Sequence, residues 1–204
     1  HLYNDGMNSS IVRDGYDRMA NKYLSERDKL KTAKYLQQLM KYLPKNANVL
    51  DLGCGAGVPV DDILIKAGHE VLGLDISKEQ IKLARKNCPR GDYAVADIAE
   101  LKENEYQMDG IVCFYTLFHL PRTEHKKLLT VMHSFLQKNG MLLVTMGDRE
   151  FEGKHVMHGE EMWSSQFGTT KNAQLVTGAG FEILLNEIDN SGGERHQIIL
   201  ARKI

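Results

Sequence analysis

A chain of 204 residues that is 42% hydrophobic can fill one sizeable core, and a single domain over 1–204 is expected. Lys and Arg total 26 against 27 Asp and Glu, interspersed, for a net charge of −1; this excludes the basic stripe that a phosphate-neutralising nucleic-acid binder needs. No apolar run approaches the roughly 20 residues of a membrane span, and the opening HLYNDGMNSS carries no signal-peptide apolar core, so a soluble cytoplasmic protein with no membrane partner is expected.

The first few positions, from His1, are set aside from fold arguments. Ile11, Met19, Ala20, Tyr23 and Leu24 then suggest a helix, and Lys31 to Leu43 a second one. NVLDLG (48–53) reads as the first strand. Val60, Ile63, Leu64 and Ala67 recur at helical spacing after Pro59, which a first helical turn tolerates, and this helix stops near Gly68. EVLGLDIS (70–77) is the second strand. Ser77 and Gln80 have the spacing of a capping box, opening a helix with Ile81, Ala84 and Cys88 on one side that must end before Pro89. DYAVAD (92–97) and MDGIVCFYTL (108–117) give the third and fourth strands. A stripe of Leu128, Leu129, Met132, Phe135 and Leu136 forms a helix ending near Gly140, and MLLVTM (141–146) is the fifth strand. Strands alternating with helices signify a parallel sheet covered by helices.

From Gly147 the pattern changes. The stretch 147–169 is polar, rich in Gly, His, Met and aromatics, and reads as a long insertion without a clean period. A short helix over 170–177 follows, then strands FEILLNEI (181–188) and HQIILARK (196–203) around a Ser191-Gly192-Gly193 turn, a pairing so tight that it must be antiparallel.

Function resides first in the loop after strand one. Gly53, Gly55 and Gly57 let backbone approach a ligand, and in an open α/β sheet the ligand lies beyond the carboxyl ends of the strands. Asp75, at the end of strand two, is placed to bond both hydroxyls of a ribose. A dinucleotide fingerprint would need its third glycine where Val58 stands, which argues against NAD. Asp51 beside the ligand suits a positively charged molecule better than a pyrophosphate.

VLDLGCGAGVP, VLGLDIS, VADIAEL and DGIVCFYTLFHLPR resemble, in order and spacing, the motifs of class I S-adenosylmethionine-dependent methyltransferases. The resemblance runs from Ile11 onward. It implies a Rossmann-like three-layer α/β sandwich on a seven-stranded, mostly parallel sheet of order 3-2-1-4-5-7-6, strand seven antiparallel, under an N-terminal helical lid (1–43). It implies S-adenosylmethionine as cofactor and S-adenosylhomocysteine as product. By position, Asp51, Gly53 and Gly55 would meet the methionine part, Asp75 the ribose, Ile76 the adenine face, Asp97 the adenine amino group and Ile98 the ring edge, with Cys54 also at the cofactor and Phe114 bordering the site. GYDRMANKYLS resembles the family's lid segment, which would bring Tyr16 and Tyr23 to the methionine end; two core aromatics on one helix face explain the same spacing.

In-line methyl transfer relies on positioning and exclusion of water, and needs a base only when the nucleophile keeps a proton. His119 is the candidate base, though histidine recurs here across relatives with different substrates, as a packing residue would. The insertion 147–169 has the composition of a substrate cover. His155, His158, Trp163 and His196 are candidate substrate contacts, the last two on resemblance to a small bacterial and archaeal subset whose substrates are mostly unassigned. H-x-x-H without a third ligand, and three scattered cysteines without a CxxC pair, predict no metal. FYTLF stands where resembling amino-methylating DNA enzymes carry Asn or Asp-Pro-Pro-aromatic, which disfavours a flipped base. The expected activity is methyl transfer to O, N or S of a small molecule, by a monomer or homodimer. A non-catalytic sensor of S-adenosylmethionine is the alternative, and an NAD-dependent reductase a lower one.

Overall fold

The computed structural model describes the backbone of residues 5–26, 32–191 and 195–204, and the side chains of 9–19, 32–191 and 195–204. Helix α1 (Asp5–Glu26) and α2 (Ala33–Met40) precede β1 (Asn48–Leu52), α3 (Val60–Lys66), β2 (Glu70–Asp75), α4 (Lys78–Asn87), β3 (Asp92–Val95) and β4 (Met108–Cys113). They are followed by α5 (His125–Phe135), β5 (Leu136–Gly147), a hairpin of β6 (Phe151–Met157) and β7 (Glu160–Gln166), α6 (Thr169–Gly178), β8 (Phe181–Asp189) and β9 (His196–Lys203). The main sheet has the order β3-β2-β1-β4-β5-β9-β8, with β9 antiparallel to both neighbours. This is the expected seven-stranded order once the extra hairpin is counted in sequence.

The sheet is apolar on both faces because helices cover both, so β1 reads as an almost continuous apolar run. Its period of two sends Leu50 and Leu52 to the face carrying Leu129, Met132 and Phe135 of α5, and Val49 to the face carrying Leu36, Leu64 and Ile81 of α2, α3 and α4. A smaller cluster joins Val12 and Met19 of α1 to Met162 of β7.

Several boundaries depart from expectation, each for a tertiary reason. β4 ends at Cys113, not Leu117: Tyr115 adopts φ +54°, which stops an extended strand, and Leu117–His119 close a single 3-10 turn. α5 stops at Phe135 rather than near Gly140, since Leu136 already pairs with Met108 of β4. β3 gives way after Val95, and Asp97 caps the short turn Ile98–Glu100 by accepting from the Ala99 N–H at 2.9 Å. The insertion is not irregular. It pairs Phe151 with Gln166 through Met157 with Glu160, and four consecutive buried residues of β7, Met162–Ser165, mask the alternation that would have revealed a strand. Gly192 and Gly193 of the expected turn lie outside the described residues.

Candidate active site

The loop after β1 turns back beneath the end of β2. Gly53, Gly55 and Gly57 all take positive φ, at +77°, +55° and +75°. At Gly53 the requirement is also steric, for a Cβ would lie 2.0 Å from the Thr116 hydroxyl oxygen. The Gly53 and Cys54 N–H groups donate to the Leu74 carbonyl at 2.7 and 3.0 Å. Asp75 then fixes the loop and the following turn together: Oδ2 accepts from the Gly55 N–H and Oδ1 from the Ser77 N–H, both at 2.9 Å.

Above this loop is a cleft with roughly 680 Å³ of space between its walls, part of it open to solvent. Gly53, Gly55, Asp75 and Ile76 form one side, Asp97, Ile98 and Phe114 another, and Ser9, Val12 and Tyr16 of α1 the roof. α1 is held there by Asp17, which accepts from the Ser77 hydroxyl, and by Arg18, whose Nε donates to Glu160 at 2.6 Å.

Gln80 corrects the capping box. Ser77 Oγ accepts from the Gln80 N–H at 3.1 Å, as expected, but the reciprocal bond is absent because the Ser77 N–H already serves Asp75. The Gln80 amide therefore faces the cleft, 1% exposed, with neither oxygen nor nitrogen partnered among the described residues. A buried amide left so costs roughly 1–3 kcal/mol until something meets it, which marks a ligand position.

A second, wider cavity of about 1320 Å³ adjoins the cleft, open to solvent on one side. Tyr16, Tyr115 and His119 line both, so the shared wall is aromatic. Tyr115 is held in its left-handed conformation by donating its N–H to Thr145 Oγ1 and by the His196 ring, edge-on at 4.9 Å. A bulky residue there is strained, and such strain gathers at functional sites.

His119 is buried, and both ring nitrogens are engaged. Nδ1 lies 3.0 Å from the Trp163 carbonyl oxygen, which can only accept, so Nδ1 carries the proton; Nε2, 2.9 Å from the Tyr16 hydroxyl, then accepts from it. Burial pushes the imidazole down to about 4, the Trp163 carbonyl pulling weakly the other way. The lone pair expected to face an acceptor is thus turned to Tyr16.

Of the other expected residues, Gly53, Gly55, Asp75, Ile76, Asp97, Ile98, Phe114 and Tyr16 converge on the cleft. Asp51 and Cys54, each 2% exposed, are buried and take no part in the cleft wall. The Tyr23 side chain lies outside the described residues. His155, His158 and His196 line the second cavity, whereas the Trp163 indole is buried outside it and contributes its carbonyl instead. Among the described residues no three His, Cys, Asp or Glu are grouped to hold a metal ion, and no helix is long and apolar enough to cross a membrane.

Sequence reasoning missed Gln80, Tyr115, Thr116, Arg149 and Arg195. It also missed Gly15, buried where α1 meets β7, at which a Cβ would stand 2.5 Å from the Met162 sulfur. The glycine inside an otherwise helical RDGYDRM was the available signal. Tyr115 carried none, since its role comes from a backbone turn.

Residues 49–140 match the methyltransferase domain family. The chain is 26% identical over 152 residues to the ubiquinone biosynthesis O-methyltransferase of Actinobacillus pleuropneumoniae, covering 67% of this chain and 64% of that one. It thus spans less than two thirds of the length of the curated relatives it matches first. Among solved structures, it resembles the 1,6-didemethyltoxoflavin-N1-methyltransferase of Burkholderia thailandensis, bound to 1,6-didemethyltoxoflavin and S-adenosylhomocysteine, with a TM-score of 0.79 at 20% identity, covering 100% of this chain and 92% of that one. It also resembles the magnesium protoporphyrin IX methyltransferase of Synechocystis PCC 6803 with bound S-adenosylmethionine, with a TM-score of 0.77 at 17% identity over 100% of both chains.

Proposed function

We propose that this protein, whose residues 49–140 match the methyltransferase domain family, transfers the methyl group of S-adenosylmethionine to an oxygen, nitrogen or sulfur atom of a small molecule. The observation that carries the reading is the unpartnered Gln80 amide in a cleft where Asp75 ends β2 and Asp97 follows β3. The residues fit the cofactor: Asp75 for the ribose hydroxyls, Asp97 for the adenine amino group, and Ile76 and Ile98 for the ring. The buried charge of Asp51 favours a cation nearby. Bound S-adenosylmethionine supplies the chemistry, a methyl group on a positively charged sulfur. The relatives named above, which act on small molecules, support the same reading.

The protein's own work is to bind, orient and exclude water. Within one domain over 1–204, segment 1–43 serves as a lid, for α1 roofs the cleft, and 147–169 as a substrate cover, for the hairpin walls the second cavity. His119 acts as a positioning residue: its Nε2 fixes the Tyr16 hydroxyl at the wall between the two spaces. A cytoplasmic monomer or homodimer without nucleic-acid, membrane or metal partners completes the proposal.

Calorimetric titration with S-adenosylmethionine, S-adenosylhomocysteine and NADH tests the site. Saturable binding of the first two alone is expected, and binding of NADH alone would return the reductase reading. Release of S-adenosylhomocysteine across an acceptor panel then separates enzyme from sensor, since a binder silent with every acceptor is a sensor. Gln80→Leu is expected to weaken S-adenosylhomocysteine by about tenfold, the loss of about one hydrogen bond to a buried amide, without moving the urea midpoint downward. An unchanged affinity would take Gln80 out of the site.

A further inference from the structure

The second cavity has a chemistry of its own. Arg149 and Arg195 line it against one acidic residue, Asp148. Arg195 Nε bonds Asp148 Oδ2 at 3.0 Å and is largely neutralised by it. The Arg149 guanidinium has no acidic partner among the described residues; only its backbone carbonyl is engaged, by Gln166. The remaining polar wall includes His155, His158 and His196 and adds no further carboxylate. Such a surface carries a positive balance, which a cationic ligand would meet badly and an oxyanion well.

The other part of the wall is aromatic. Phe118 stacks on His196 with centroids 5.7 Å apart and planes 22° from parallel, and Tyr115 meets the same imidazole edge-on. Phe151 adds a further ring, edge-on to His155 at 6.2 Å. Rings held by one another in this way lose little entropy when a planar molecule settles on them.

Resting on the methyl-transfer reading, we propose that the acceptor is a planar aromatic compound bearing an anionic oxygen group, its ring against Tyr115, Phe118 and Phe151 and its anion toward Arg149 and Arg195. The proximity of Tyr115 to both spaces places the ring, rather than the anion, next to the cofactor cleft. The anion therefore serves recognition, and the methylated atom belongs to the ring or a substituent near it.

Three probes test this by calorimetry in saturating S-adenosylhomocysteine: 2-naphthoate, its neutral amide 2-naphthamide, and the non-aromatic cyclohexanecarboxylate. Naphthoate is expected to bind at least about tenfold more tightly than either of the others. In the double variant Arg149→Gln, Arg195→Gln that advantage over naphthamide should vanish, while S-adenosylhomocysteine affinity, a check on the fold, stays the same. Equal or tighter binding of naphthamide, retained naphthoate affinity in the double variant, or no binding by any probe overturns the proposal. If S-adenosylhomocysteine itself fails to bind, the methyl-transfer reading falls, and the same probes titrated into the protein alone still decide whether the cavity selects aromatic anions.

Discussion

Asp75→Ala should cost at least about tenfold in affinity for S-adenosylmethionine and S-adenosylhomocysteine, and should also lower stability. The carboxylate has two duties. In the proposed reading it binds the ribose, and it accepts from the Gly55 and Ser77 N–H groups at 2.9 Å, tying the glycine loop to the start of α4. Hydrogen bonds to a charged group contribute roughly 1.5–3 kcal/mol each, and truncation leaves both donors without their acceptor. A urea titration separates the two effects: the midpoint reports the loop, and calorimetry at temperatures where the variant is folded reports the ligand. Asp75→Asn keeps one acceptor oxygen and should fall between alanine and the native protein in both measurements. Undiminished affinity in the alanine variant would move the ribose contact away from β2.

Acid should destabilise the protein steeply between about pH 6.5 and 4, because two buried histidines must be neutral in the folded state. His119 and His125 are both pushed down to about 4, chiefly by burial. His125 donates Nε2–H to the Leu120 carbonyl at 3.1 Å, and its Nδ1 has no partner among the described residues. The unfolded chain, with histidines near their ordinary value, binds protons in this window that the folded chain refuses, so stability rises with pH through it and is lost as pH falls. By linkage the pair is worth on the order of several kcal/mol, a large share of a marginal stability of about 5–15 kcal/mol. The more exposed His69 and His133, also lowered by burial, act in the same direction.

A protonated His119 could no longer accept from Tyr16, so the contact between α1 and the shared wall should open with acid before global unfolding. His119→Gln and His125→Gln should each remove close to one proton from the uptake that accompanies unfolding, read from the slope of urea-derived stability against pH. A stability that does not change across the window would mean that these rings titrate normally.

The fold was legible where local chemistry and packing agree. The strand-glycine-helix unit at 48–66, the Ser77 cap of α4, the α5 stripe and the terminal antiparallel pair are each written by periodicity and turn residues close together in the chain. The cleft was legible for the same reason, since its floor, from Gly53 to Ile98, lies on consecutive strand ends. The hairpin β6–β7 was not: its buried residues follow one another along β7, packed against both α1 and the turn Leu117–His119, so no alternation survives.

The sequence by itself determined the sheet, its order through resemblance, and most residues that line the cleft, because strand-end glycines and carboxylates act through backbone geometry that their neighbours set. Only the tertiary structure decided what His119, Trp163 and Gln80 do. The His119 ring meets a hydroxyl from α1 and a carbonyl from β7, Trp163 acts through that carbonyl, and Gln80 is released because Asp75 takes its partner. Which lone pair is occupied, and by whom, depends on groups far apart in the chain, and periodicity carries no information about them.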